Sequence, residues 1–188
     1  MSIVWGNKLP TLAAERLDLR WLSFADCPDL FAVFGNPEVM KYWSSSAWSQ
    51  PSQAADYVAS IQRNFAAKSI LQWGICLRET NTIIGTCSLV RVDLSQKRSE
   101  IGIIMGEVSW GQGLASEALE TVIQFAFHKL ELLRLEADVD PNNLRSLALF
   151  EKQGFQREGL LRERWRVHGE VQDSVFLGLL QREWKGRR

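Results

Sequence analysis

The chain is expected to fold as a single α+β domain over residues 1–188, built on a mixed sheet. Three observations carry that expectation. Strand-like alternation and helix-like spacing succeed one another as strand, two helices, three strands, helix, strand, helix, two strands: about seven strands and about four helices. The repeating strand–helix–strand units that a doubly wound parallel sheet needs are missing. No repeat, linker or low-complexity stretch divides the 188 residues, a length that one core accommodates.

The first strand is expected in "ERLDLRWL" (15–22), where polar and apolar residues alternate. "SFADCPDLFAVFGNPEVMKYW" then has helical spacing until "GNP" breaks it, with Ser23 or Asp26 as the cap. A polar loop, "SSSAWSQPS", leads to a second helix over about residues 52 to 68. In "LQWGICLRETNTIIGTCSLVRVD" two apolar runs flank "ETNT", a hairpin pattern. A two-residue turn at Asn81 and Thr82 would set Cys76 opposite Cys87, as a redox pair or, the ordinary case, two buried thiols. "RSEIGIIMG" is a strand with Ile101, Ile103 and Met105 on one face and Glu100, Gly102 and Ile104 on the other. Ala115, Ala118, Leu119, Val122, Ile123 and Ala126 mark the buried face of the third helix. "RLEADVD" alternates as a strand, "PNNLRSLALFEKQGF" is a helix stopped at Gly154, and two long strands around "HGE" follow.

Composition removes several function classes. Hydrophobic residues are 46% and charged ones 23%, an ordinary globular balance. Lys plus Arg equals Asp plus Glu, at 22 each, so there is no footprint for nucleic acid or an acidic membrane. Arg182, Lys185, Arg187 and Arg188 read as a solvated tail. No stretch has the ~20 apolar residues of a membrane span, and the start lacks the pattern of a signal peptide. With that, the odd count of Cys27, Cys76 and Cys87 suggests reduced thiols in a cytoplasm. His128 and His168 make no zinc spacing with the cysteines, so no metal is expected.

The chemistry-bearing stretch is "EVSWGQGLASEALETVIQFAF" (107–127). Gly111 and Gly113 stand at the mouth of a helix, just after a strand. The first amides of a helix have no internal partner and sit at the positive end of its dipole. Removing two side chains there lets an anion approach. A P-loop is ruled out because no lysine follows. A dinucleotide fingerprint wants a third glycine where this chain has Ser116. The pyrophosphate of coenzyme A and a plain tight turn remain open on the glycines alone.

Taken in order, four segments resemble the GNAT (general N-acetyltransferase) superfamily, in its ribosomal-protein N-terminal alanine and serine acetyltransferase branch. They are "ERLDLRWL", "FGNPEVMKYW", "WGQGLASEAL" and "VDPNNLRSLALFEKQGF"; "LRERWRVHGEVQDSVFLGLL" is similar to the branch's closing strands. The resemblance implies a mostly antiparallel central sheet and acetyl-coenzyme A as acetyl donor. It implies that amides of Gly111, Gln112, Gly113, Leu114 and Ala115 hold the pyrophosphate, that Ile103, Ile104 and Met105 form the edge beside pantetheine, and that Asn143 and Ser146 meet the arm and the sulfur. Two departures stand out: Val108 where the superfamily often has Gln or Arg, and Phe150 where many members carry a tyrosine acid.

Acetyl transfer to an amine needs a deprotonated amine, a donor for the oxyanion, and a hydrogen bond or proton for the leaving thiolate. With Phe150 lacking a proton, Ser146 is the candidate thiolate partner. Glu100, on the strand leading to the coenzyme edge, is the candidate base, and Asp173 a second carboxylate for the acceptor site. Trp43 and Trp48 flank the loop that borders the acceptor cleft by resemblance, and Trp73 and Trp165 are further candidate walls. The expected function is direct transfer to a primary amine, of a protein N-terminus or a small molecule, without an acetyl-enzyme; a homodimer is plausible by resemblance. A non-catalytic acyl-coenzyme A sensor or interaction module, motivated by Phe150, is the alternative. A nucleotide-binding protein using the same turn is a weaker one.

Overall fold

The computed structural model describes residues 6–167 and 169–186. His168 of the closing turn, and Arg187 and Arg188 of the expected tail, lie outside the described residues. The strands are β1 (Leu12–Ala13), β2 (Leu17–Arg20), β3 (Ile70–Leu77), β4 (Thr82–Asp93), β5 (Arg98–Met105), β6 (Arg134–Val139), β7 (Gln156–Val167) and β8 (Glu170–Leu180). The helices are α1 (Cys27–Phe34), α2 (Pro37–Met40), α3 (Ser52–Ala66), α4 (Leu114–His128) and α5 (Leu144–Lys152). One eight-stranded sheet has the order β1-β2-β3-β4-β5-β6-β8-β7. Every neighbouring pair is antiparallel except β5 and β6, which are parallel.

The expected α+β class holds, with additions where the pattern was too short to see. β1 is a two-residue edge strand pairing Leu12 with Leu19. The first helical segment breaks at "GNP" as expected, but a further turn, α2, follows, capped by the Asn36 side chain taking the Glu38 N–H at 2.9 Å. The β3–β4 hairpin needs a correction. Residues 78–81 make the connection with Asn81 at φ 56°, so Leu77 faces Thr82 and Cys76 faces Ile83. A register shift between Ile75 and Cys76 then sets Cys87 opposite Trp73. Cys76 and Cys87 lie in different cores on opposite faces of the sheet, so they are not a redox pair.

The larger core lies under α4 and α5: Leu119, Val122 and Ile123 of α4, and Leu147 and Phe150 of α5, pack on Leu19, Trp73, Leu89, Ile101, Leu135 and Leu177. The smaller core lies on the other face, where Leu30 and Val33 of α1 and Val58 and Ile61 of α3 meet Cys76, Ile83 and Ile104. Burial of these side chains contributes on the order of 1.5–3 kcal/mol each. Beyond Ile104, the face that carries α1 and α3 turns polar. Glu100, Glu136 and Asp138 project from it, on the strand positions that alternate with the buried Ile101, Leu135, Ala137 and Val139.

One glycine fixes the spacing of the central strands. A Cβ at Gly85 would sit 2.2 Å from the Ile104 carbonyl oxygen, inside the β4–β5 ladder where Gly85 faces Met105. We expect Gly85→Ala to push β5 away from β4 and lower stability by about 1–3 kcal/mol, measured by urea unfolding. A loss under a few tenths would show that the two strands are not held at this distance.

Candidate functional site: a wedge between two parallel strands

β5 and β6 share only three residue pairs: Arg98 with Arg134, Ser99 with Leu135 and Glu100 with Glu136. Past Glu100 the strands part. Residues 101–105 stay paired with β4 on one side, and β6 continues paired with β8 on the other. Two strand edges therefore face each other across an open wedge, each with backbone donors and acceptors that a ligand can pair with. Ile103, Ile104 and Met105 lie on one of these edges.

At the wedge's wide end, β5 runs through a 3₁₀ turn (Glu107–Ser109) to the paired glycines. Gly111 has φ 74° and Gly113 φ 77°, left-handed conformations that favour glycine. A Cβ at Gly111 would meet nothing within 4 Å, so that approach is open. The amides of residues 111–115 find no acceptor among the described residues, while the Glu117 N–H already returns to the Gly113 carbonyl. The turn is braced: the Gln112 side chain donates to the Val108 carbonyl at 2.8 Å, and the Trp110 indole N–H to the Met105 carbonyl at 2.8 Å. Val108 is 88% exposed, so it neither packs nor blocks the turn.

Two arginines stand beside the glycine turn. Arg16, at the entry to β2, donates to the Glu117 carboxylate (Nε to Oε2, 2.8 Å) and to the Gln112 carbonyl (3.0 Å). Its backbone N–H also reaches Glu117, whose side chain is only 7% exposed. Arg145, beside Ser146, stacks 4.9 Å over the Trp110 ring, so α5 and the glycine turn touch across the wide end. Composition and spacing do not disclose this pair, because Arg16 and Glu117 are 101 positions apart. The available signal was a carboxylate three residues after Leu114 in a buried helix stripe, a position that asks for a cation.

The other expected residues fall as follows. Asn143 caps α5, its side chain taking the Ser146 N–H at 3.1 Å. Ser146 is half-buried on the first turn of α5, on the core side of the sheet. Glu100 projects from the opposite face with its side chain 19% exposed, and Arg91 Nη2 lies 3.1 Å from it. Burial raises its carboxyl pKa; Arg91 and Arg164 oppose the rise, and the charges of Asp138 and Glu136 add to it. Burial wins because Arg91 is more than half exposed and screened by solvent.

Trp43 and Trp48 are half-buried beside α1 and α3, on the Glu100 side; Trp48 stacks on Phe34 with centroids 4.5 Å apart. Trp165 is 38% exposed. Trp73 needs correction as a wall: it is fully buried under α4, against Phe125, with its indole N–H on the Pro10 carbonyl. It belongs to the core on the face away from Glu100. Asp173 takes the Glu163 N–H at 2.8 Å, so its carboxylate shapes the β7–β8 hairpin. Phe150 is a core residue set edge-on against Phe155.

A glycine turn with unpaired amides, opening on a free strand edge, has the shape to take an anion that carries an extended amide-bearing arm. Comparison with known proteins gives the family. Residues 16–156 match the family model described as "Acetyltransferase (GNAT) domain". The chain belongs to the GNAT acetyltransferase family and is an N-acetyltransferase. An uncharacterised N-acetyltransferase, p20, of Bacillus licheniformis is 36% identical over 178 residues, covering 95% of this chain and all of that one. Spermidine N(1)-acetyltransferase of Escherichia coli (strain K12) is 25% identical over 171 residues, 90% of this chain and 84% of that one. A Vibrio cholerae structure, provisionally named a ribosomal-protein-serine acetyltransferase, superposes with TM-score 0.82 at 26% identity, covering 91% and 97%. No helix of the described residues is long and apolar enough to cross a membrane, and no group of three metal-ligating side chains occurs among them.

Replacing Glu117 by Gln keeps its shape and removes the charge that holds Arg16. We expect Glu117→Gln to raise the Kd for coenzyme A about tenfold, the scale of one charge-assisted hydrogen bond, measured by calorimetry. An unchanged Kd would mean that the pair supports only the fold.

Proposed function

We propose that the protein transfers an acetyl group directly from acetyl-coenzyme A to a primary amine, of a protein N-terminus or a small molecule, in the cytoplasm. The observation that carries this reading is the wedge with its glycine turn: open backbone edges, five free amides and two arginines, all at one end. Acetyl-coenzyme A supplies a thioester-activated acetyl group. The amides of residues 111–115 hold the pyrophosphate, the β5 edge pairs with the pantetheine arm, and Asn143 lines the arm's path.

Glu100 and Ser146 then work from opposite sides of the wedge. Glu100 takes the proton as the amine nitrogen bonds to the acetyl carbon, directly or through one water. The carbon–sulfur bond breaks, and the Ser146 hydroxyl donates a hydrogen bond to the departing sulfur. Ser146 suits this role because its own N–H is satisfied by Asn143, while its hydroxyl has no partner among the described residues. A hydroxyl is a poor acid, so it stabilises the thiolate rather than protonating it outright. Positioning of both substrates supplies much of the rate. One relative is named for spermidine and one structural neighbour, provisionally, for ribosomal-protein serine, so the names leave the acceptor as broad as a primary amine.

Thiol release from acetyl-coenzyme A, followed against N-terminal peptides and small amines, tests the reading, with Gly113→Trp as the variant that fills the pyrophosphate site. Release that needs an acceptor and vanishes in the variant supports it. Coenzyme binding without release would return the sensor reading, and no binding would overturn the site itself. Glu100 gives a pH test. A base must be deprotonated, so the rate falls as pH drops through its raised pKa. Glu100→Gln should lower kcat about a hundredfold or more and abolish that acid limb; a limb that survives assigns the base elsewhere.

A further inference from the structure

Asp138 is a carboxylate that the transfer chemistry leaves unused. Its side chain, 6% exposed on β6, accepts hydrogen bonds from the Ser174 hydroxyl, from Trp165 Nε1 at 3.0 Å and from Arg164 Nε at 3.3 Å. Two of these donors are consecutive residues of β7, which in a regular strand point to opposite faces. The pairing of β7 with β8 shifts between Leu161 and Trp165, and Glu163 takes φ 55° with its N–H on Asp173. This bulge turns Arg164 and Trp165 to one side, a known use of bulges near binding sites. The Arg164 guanidinium lies 5.2 Å over the Trp165 ring. Only its Nε is used; its two Nη groups have no acceptor among the described residues. Asp138 sits two residues beyond Glu136, the register partner of Glu100, and both Asp138 and Arg164 are close enough to act on the Glu100 charge.

We propose that Asp138 is a positioning residue that seats Arg164 and Trp165 as the acceptor-recognising pair. The Nη groups of Arg164 bind an oxygen next to the reacting amine, and the Trp165 ring packs against the adjoining carbons. That chemistry is an α-aminoacyl group, from either a free amino acid or the first residue of a peptide. The proposal rests on the acceptor amine meeting Glu100. Charge balance on the same face agrees with it. Glu100 is paired with Arg91, Glu136 with Arg98 and Arg134, Glu158 with Arg134, and Asp138 with Arg164. A polyamine arriving there finds each of these carboxylates already matched by a guanidinium.

The test compares L-alaninamide, L-alanine, isopropylamine and spermidine as acceptors for the full chain, before and after Arg164→Ala, Arg164→Lys and Asp138→Asn. Alaninamide or alanine should exceed isopropylamine in kcat/KM by at least about tenfold, the worth of one charge-assisted hydrogen bond. Arg164→Ala should close that gap through KM, Arg164→Lys should restore part of it, and Asp138→Asn should narrow it while coenzyme affinity holds. Preference for alaninamide over alanine identifies a peptide acceptor; the reverse identifies a free amino acid. Spermidine or isopropylamine matching the α-aminoacyl acceptors, or Arg164→Ala slowing all acceptors equally, overturns the proposal while leaving acetyl transfer intact. Calorimetry of alaninamide against the coenzyme A-loaded protein separates the two readings. Arg164-dependent binding without thiol release would uphold the recognition pair and sink the transfer reading; no binding and no release would sink both.

Discussion

Three residue pairs hold β5 to β6, and the site depends on there being no fourth. Had the strands stayed paired through Met105, the sheet would be continuous and no edge would be open to a ligand. The parting is made by what flanks the two strands. β5 remains bonded to β4 through Gly85, which lets the backbones approach closely, and β6 remains bonded to β8 along its whole length. Each strand follows its own neighbour, and sheet twist carries them apart. α5 covers the core side of β6, and α4 that of β4 and β5, so the wedge has an apolar wall on one face and a charged one on the other.

From this divergence the division of labour follows. Whatever lies in the wedge is reached from the core side by residues of α5 and from the other side by residues that project between buried positions of β5 and β6. Ser146 belongs to the first set and Glu100 to the second. The glycine turn and the α5 cap follow the C-terminal ends of β5 and β6, so both stand at the wide end. Arg145 over Trp110 ties those two parts together, and Asn36, whose side chain donates to Glu107 at 2.8 Å, ties the α1–α2 junction to the same turn. The "GNP" break thus does more than end a helix: it fastens the layer carrying Trp43 and Trp48 to the glycine turn.

Much of this architecture was legible in the sequence because it is local. Alternation in "RLEADVD", helical spacing after Gly113 and the stop at Gly154 each depend on neighbouring residues, and each appears as expected. What was not legible is what joins distant residues. The hairpin register failed because residues 78–81 form a four-residue connection where a two-residue turn was expected, and the bulge at Cys76 has no sequence mark. Trp73 was misplaced because a tryptophan in a strand looks the same whether its face is covered by a helix or by substrate. Arg16, Asp138 and Arg164 carry no mark in the sequence, since pairing across 101 and 26 positions leaves no periodicity to detect.

Two of the buried carboxylates, Glu117 and Asp138, illustrate a common physical logic. A carboxylate with under a tenth of its side chain exposed is costly unless its oxygens are filled. Each is filled by an arginine that is itself more than a third exposed, so each acts as a fixed socket for a cation that still faces solvent. Desolvation is met on the inner side, while the outer donors of the guanidinium stay available. Such an arrangement does little for stability beyond repaying its own burial. Its effect is to remove side-chain freedom from an arginine before any ligand arrives, so that less ordering remains to be done on binding. One socket stands at the glycine turn and the other beside Glu100, so a preset cation stands at each of the two places that the proposed transfer would use.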